Sequence, residues 1–486
     1  MPAPEQIWEE ADLPTRRLAG LALNPSTPQD VLLRLLADAP LAARMVLCRD
    51  RDLPVAVVDA AIDHPDTRTR SFLARNPHVD PAQRARLVDD PEWLVRAHLA
   101  DGPRMPHYGR PRPLPDETVI RMLTTYSNDE LAGTVYQQFS RELWETLPTH
   151  PVPKVRAWGG PSDERYEDPD WVASQLPDRS CHGRTDILMN RPLNRAVVDG
   201  VLTAPVGPDE RLMIAGNPSL PPDMVVLLAA DPDPEVRERI AHRADLAPDQ
   251  RRALAVDHEP RVRLAVSLHP AWSEEERAGI DYEVPMDRTF GFHLESLRPR
   301  DPGAVRQDAL SGHPLLRRRA AEEPTLPPDL LARLTGDDDL GVRVLLAQNH
   351  PDAAPALLLR SFLEYTGRER DHLLTRPNFP TDGLAGYADD EDPAVRALAV
   401  RDPGTPPETV ERLTRDPDPA VRAASARHPN LPPARLARLL DDEELAHHAA
   451  ANPALGLDTL RGLVAALPVS RRPAGPPAPR RSPGAR

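Results

Sequence analysis

An arginine recurs along this chain at a fixed distance. Arg44, Arg70 and Arg96 are 26 residues apart, and so are Arg211, Arg237 and Arg263, Arg317 and Arg343, and Arg370, Arg396 and Arg422. The gaps between these runs hold further degenerate units, one with Ala132 in the arginine position, one near Arg184 and one near Arg288. With a first unit around Leu18 and a last around Ala446, about 17 units precede the C-terminal tail. A unit this short cannot bury its own apolar residues, so the period demands that neighbours stack.

Each unit reads as two short helices. In TLPPDLLARLTGDDDLGVRVLLAQNHP, Pro327 and Pro328 open the first helix, where a missing N–H costs nothing. Leu330, Leu331 and Leu334 fall on one helical face. The acids Asp337, Asp338 and Asp339 end that helix and cap the second, in which Val342 and Leu346 face inward until Pro351 stops it. Asp233, Asp392 and Asp418 stand at N-cap positions, each followed by proline. The arginine lies four residues after the capping acid in Asp66–Arg70, Glu92–Arg96, Asp233–Arg237, Glu259–Arg263, Asp339–Arg343, Asp392–Arg396 and Asp418–Arg422. That spacing predicts an ion pair within one helix, and makes the arginines a structural ladder.

The 24–28-residue unit, in outline NPxLPPxxLxxLxxDxDxxVRxxxA, resembles the leucine-rich repeat variant family of bacterial proteins. It is clearest at 217–242 and 428–453, and weakest at 103–200 and 271–312. The DPxxxVR element also resembles HEAT-like repeats, whose units are longer. The resemblance covers most of residues 10–465 and implies an all-α, right-handed solenoid, with the second helix of each unit a candidate for 3₁₀ geometry. It brings no catalytic residue. The expected organisation is one repeat solenoid over 1–467 and a disordered tail rich in proline and arginine over 468–486.

Composition agrees with short, leucine-built helices. Aromatics are 4% of 486 residues, and 60 prolines interrupt a chain that is still 40% hydrophobic. Lys154 is the only lysine, which together with abundant alanine and proline suggests a GC-rich bacterial genome. The net charge is −15, and five arginines lie in the last sixteen residues, so the remaining body carries −20. Such a body repels nucleic acid and anionic lipid head groups at long range. Cys48 and Cys181 are too few for a disulfide framework or a thiolate metal site. The acidic N-terminus is unlike a secretory signal and no 18-residue apolar run occurs, so the expected location is the bacterial cytoplasm.

Few residues suggest chemistry. His64, His150, His269, His313, His350 and His428 each precede a proline, in loop positions that hold Asn76 and Asn217 elsewhere, which fits capping better than catalysis. His447 and His448 are adjacent and point to different faces. Cys181 and His182 adjoin without a third group to orient them. No phosphate-binding loop, GxSxG, HExxH or GxGxxG is present, and no cofactor is expected. The acidic clusters at 337–339, 389–392 and 441–444 either complement the second helix dipole or line an edge that suits a basic partner.

The aromatic residues are concentrated. Residues 108–171 hold eight of the nineteen: Tyr108, Tyr126, Tyr136, Phe139, Trp144, Trp158, Tyr166 and Trp171. The same stretch carries the insertion RMPHYGRPRP, with Arg104, Arg110 and Arg112 beside Tyr108. Irregular units use large side chains to fill irregular gaps, and insertions also build binding faces. The functional expectation is a non-catalytic scaffold that binds a protein or peptide, with Tyr108, Arg110, Arg112, Tyr126, Tyr136, Trp144, Trp158 and Trp171 as candidate contacts. The alternative is a HEAT-like repeat enzyme of the DNA glycosylase or bilin lyase type, with a cleft on the concave side.

Overall fold

The computed structural model describes residues 11–103, 112–127, 131, 134–159, 164–207, 209–284, 300–367 and 369–467. Among them every regular element is a helix, in a repeated series that is the architecture of an α-solenoid. Among the described residues no helix is long and apolar enough to cross a membrane. The chain divides into two compact units, one of Met1–Gly160 with Thr381–Arg486 and one of Pro161–Pro380.

Local sequence explains the regular repeat. First helices such as Pro222–Leu228, Pro407–Leu413 and Pro433–Leu439 start on proline and bury one leucine-rich stripe. Second helices such as Pro234–Ala241, Pro393–Arg401 and Pro419–Ala426 start on Asp-Pro, and the aspartate accepts the backbone N–H two residues on. The valine before the arginine is always inside: Val95, Val236, Val262, Val342, Val395 and Val421 are at most 4% exposed. Full burial of such a side chain contributes about 1.5–3 kcal/mol, an upper bound because the unfolded chain is already partly collapsed.

Two expectations change here. The second helix of the regular unit is α rather than 3₁₀: a fixed first turn, a side-chain cap and eight or nine residues without glycine complete two α turns. Among the described residues the 3₁₀ segments are Val135–Gln138, Leu147–Thr149, Ala157–Gly159, Glu164–Glu167, Arg370–Thr375 and Ala385–Tyr387, of which Arg370–Thr375 keeps the second-helix position of its unit.

The arginines also choose other partners. Arg70 forks onto Asp90 (2.6 Å), Arg237 onto Asp257 (2.8 Å), Arg317 onto Asp337 (2.7 Å) and Arg396 onto Asp416 (2.9 Å), each twenty residues ahead in the next repeat. Arg44–Asp66, Arg211–Asp231, Arg263–Asp281, Arg343–Glu364 and Arg422–Glu444 follow the same direction. The acid four residues back is occupied where it caps its own helix, as Asp66, Asp233, Asp339, Asp392 and Asp418 do. Side chains of a first turn lean toward the N-terminus, so Nη1 reaches the loop carbonyls five and six residues back, as Arg237 does to Pro232 and Asp231. Arg96, Arg263, Arg317, Arg343, Arg396 and Arg422 repeat that contact. Arg70, Arg237, Arg263, Arg317, Arg343, Arg396 and Arg422 therefore each staple their own loop to the next repeat. Arg370 departs from the rule, donating Nε to the Phe362 carbonyl (2.7 Å).

A second ladder runs through the loop after the second helix. Asn76 Nδ2 donates to the carbonyls of Cys48 and Arg51, and Asn217 Nδ2 to those of Leu188 and Arg191, one repeat earlier. Arg51, Arg243 and Arg376 fill the same role with guanidinium groups. All six pre-proline histidines accept at Nδ1 the backbone N–H two residues on, but only His269, His350 and His428 stand in this loop, where that bond is the local half of what asparagine does; His64, His150 and His313 precede a second helix instead, contrary to the position expected for them. His269 and His428 donate Nε2–H to the Ala244 and Asp402 carbonyls of the preceding repeat, which fixes the neutral tautomer.

Within the first compact unit this ladder passes from the last repeat to the first helix. Asn452 Nδ2 donates to the Ala426 and His428 carbonyls, and Asn24 Nδ2 donates in the same way to those of Ala450 and Asn452. The helix Leu13–Leu23 lies against Ala446–Ala450 as one second helix lies against the next. Gly20 makes the contact: a Cβ there would coincide with the His447 carbonyl oxygen. Arg16 and Arg17 add bonds to the Glu443 and Leu440 carbonyls (2.6 Å each), and Arg34 one to Leu467 (3.0 Å).

Candidate functional site

The aromatic stretch departs from the regular repeat. The helix Asp116–Thr125 is opened by Pro115 and buries Val119, Met122 and Leu123, as a first helix should. After it come only short pieces: Val135–Gln138, Arg141–Thr146 capped by Ser140, Leu147–Thr149, Pro153–Arg156 and Ala157–Gly159. Phe139, 6% exposed, is the hub that holds them. The rings of Trp144 and Trp158 meet it edge to face, with centroids 5.1 and 5.9 Å away.

The candidate residues separate in place and role. Tyr136 and Trp144 are 47% and 44% exposed. Tyr126 and Trp158 are half-buried, and the Arg96 guanidinium lies 4.7 Å over the Tyr126 ring. Arg112 is exposed and donates Nη2 to the carbonyls of Pro77, His78 and Val79, which ties its loop to the preceding repeat. Trp171 belongs to the second compact unit, half-buried against Tyr166 at 4.8 Å with Arg165 over its ring. Tyr108 and Arg110 lie outside the described residues.

Beside this cluster is a cavity of about 380 Å³, walled by Leu123, Leu131, Tyr126, Trp158 and Ala157. Lys154 stands at it, with Nζ donating to the Thr124 carbonyl at 2.9 Å. In the sequence Lys154 stands out only as the one lysine, because its neighbour at the cavity comes from a helix 30 residues earlier. Nor does the sequence single out Trp93, 49% exposed at the start of the helix Trp93–Asp101 that packs against Val135–Gln138.

Groups suited to other chemistry are apart or enclosed. Cys181 and His182 sit at the start of the helix His182–Asn190, in the second compact unit. Burial pushes the Cys48 thiol up to about 12. Among the described residues no three His, Cys, Asp or Glu side chains are placed to hold a metal ion.

Residues 393–418 match the family model described as leucine rich repeat variant. The matched segment runs from the Asp-Pro start of one second helix to the cap of the next, one full period, and supports the family resemblance read from the repeat. No curated protein matches the chain.

Proposed function

We propose that this chain, with a leucine rich repeat variant unit at 393–418 and the same unit echoed along its length, is a non-catalytic scaffold that docks another protein or peptide on the aromatic face of residues 126–158. One observation carries the reading: Tyr136 and Trp144 stand open to solvent in a protein whose cores are leucine, valine and alanine. Trp144 is also held edge-on by Phe139, so little freedom is lost when a partner covers it. Rigid aromatic anchors of this kind dominate interface energetics. The same reading places the protein in the bacterial cytoplasm, on its two free cysteines and acidic body.

The test is a peptide-display selection on the full chain, repeated on a Tyr136→Ala, Trp144→Ala double variant. Both side chains are exposed, so the variant should keep its circular dichroism melt. Selected peptides should bind the wild type saturably and lose about tenfold or more on the variant, as truncation of two anchors costs. Equal binding to both proteins would remove this face from consideration.

A further inference from the structure

We infer that the Lys154 cavity is the selective element of this face, and that it receives a bulky apolar side chain flanked by carboxylates from an acidic segment of a partner peptide. The inference rests on the docking reading above. Apart from Ser127 and Lys154, the described walls of the cavity are aliphatic and aromatic, and two of them, Leu123 and Leu131, are almost wholly buried beneath it. At about 380 Å³ it lies near the lower end of small-ligand pockets, which suits one or two anchor side chains better than a large cofactor.

Charge then restricts the occupant. Among the described residues the lining contains no acid, in a chain with 75 of them, and it contains the only lysine. An ammonium carries three N–H donors. One of those of Lys154 is used on Thr124, and the side chain is exposed, so two remain for an incoming carboxylate. The aliphatic stem of a lysine packs on apolar surface while its head stays wet, which puts the charge at the rim and the greasy walls below it. Arg156, two residues on in the same short helix, donates to the His150 carbonyl and adds a second positive charge to that helix. A basic segment would meet these cations unfavourably, and a purely apolar one would leave two of the ammonium's three donors without a protein acceptor.

The probe is a C-amidated peptide, Asp-Asp-Leu-Phe-Asp-Asp, with fluorescein coupled to its N-terminal amine, titrated with the full chain at physiological salt and followed by anisotropy. Two control peptides replace either the acids by lysine or the Leu-Phe pair by Ser-Ser. The acidic apolar peptide should bind saturably, and neither control should. Lys154→Glu should weaken binding about tenfold or more, and Lys154→Arg should keep it within about threefold, because the rim needs a donor charge. Binding unchanged in Lys154→Glu, equal binding of the lysine control, or no saturation by about 1 mM would each overturn the assignment. If the probe fails while selected peptides still depend on Tyr136 and Trp144, the cavity falls and the docking face stands. If the probe depends on Lys154 while selected peptides ignore Tyr136 and Trp144, the cavity stands and the wider face falls.

Discussion

Glycine inside a helix is usually a weakness, and replacing it with alanine in open space should stabilise by roughly 0.5–1 kcal/mol. Gly20 should do the opposite. It lies in the helix Leu13–Leu23, and any Cβ there runs into the His447 carbonyl oxygen and the Ala450 side chain. Backbone cannot move aside as a flexible side chain would, so the N-terminal helix must lift from the last repeat. Lifting exposes part of Leu18 and Leu21, now 5% and 0% exposed, and releases the two Asn24 bonds. Because Leu41–Asp50 still covers the other side of the helix, about half the burial of two leucines is lost, roughly 2 kcal/mol, and two hydrogen bonds add about 1 kcal/mol each. The sum, near 4 kcal/mol, corresponds to about a thousandfold faster hydrogen exchange at the amides of residues 13–23, with the second compact unit unaffected. Gly200 is the control: it is interior to Arg195–Thr203 and a Cβ there meets nothing within 4 Å. If Gly20→Ala stabilises as Gly200→Ala does, the joint between first helix and last repeat does not exist in solution.

The arginine staples should differ by depth. Arg237→Ala leaves Asp257, 9% exposed, without its partner and should cost about 3 kcal/mol in urea unfolding, whereas Arg422→Ala, whose partner Glu444 is 52% exposed, should cost under about 1 kcal/mol. Acid should act through the enclosed histidines. Burial, with Arg277, Arg317 and Arg319 nearby and Glu274 opposing them, pushes His313 down to about 4, and burial likewise pushes His448 to about 4 and His447 to about 3. Since these folded-state values lie below the unfolded value near 6.5, their neutral forms favour the fold fully above pH 6.5, and that contribution is lost as the pH falls toward 4. His313→Asn keeps an acceptor for the Leu315 N–H, so its melting temperature should fall less steeply from pH 7 to 4 than that of the wild type. Thiol titration of the native protein should count one fast cysteine, Cys181, since Cys48 is fully enclosed; two fast thiols would contradict the packing of Leu41–Asp50.

How far the sequence could be read depends on what each contact spans. The period, the Asp-Pro starts and the buried valines are local patterns, and they are legible because a helix turn repeats within four residues. The partner of Arg237 was not, since distance along the chain favours Asp233 and only stacking brings Asp257 within 2.8 Å. The histidine positions were legible as caps, yet their outward bonds to the preceding repeat needed the neighbour to be in place. Asn24-Pro25 repeats the Asn-Pro of 76–77, 217–218 and 452–453, a trace of the joint visible in one dimension. Gly20 and Ala450, which make it close, look like ordinary helix residues. At the candidate site the crowding of aromatics was plain, but their division into exposed Trp144 and half-buried Trp158 depends on Phe139 lying between them.

A helix that seats on the far end of its own chain can seat on another copy's. The face offered by Ala446–Ala450 does not distinguish its own Leu13–Leu23 from a second molecule's, and only the tether through Pro25–Pro28 gives the resident helix its advantage in effective concentration. Whatever loosens that seat turns each molecule into a donor and an acceptor at once. Exchange of the segment between two copies would give a swapped dimer, and exchange that fails to close would give a filament growing from repeat to repeat.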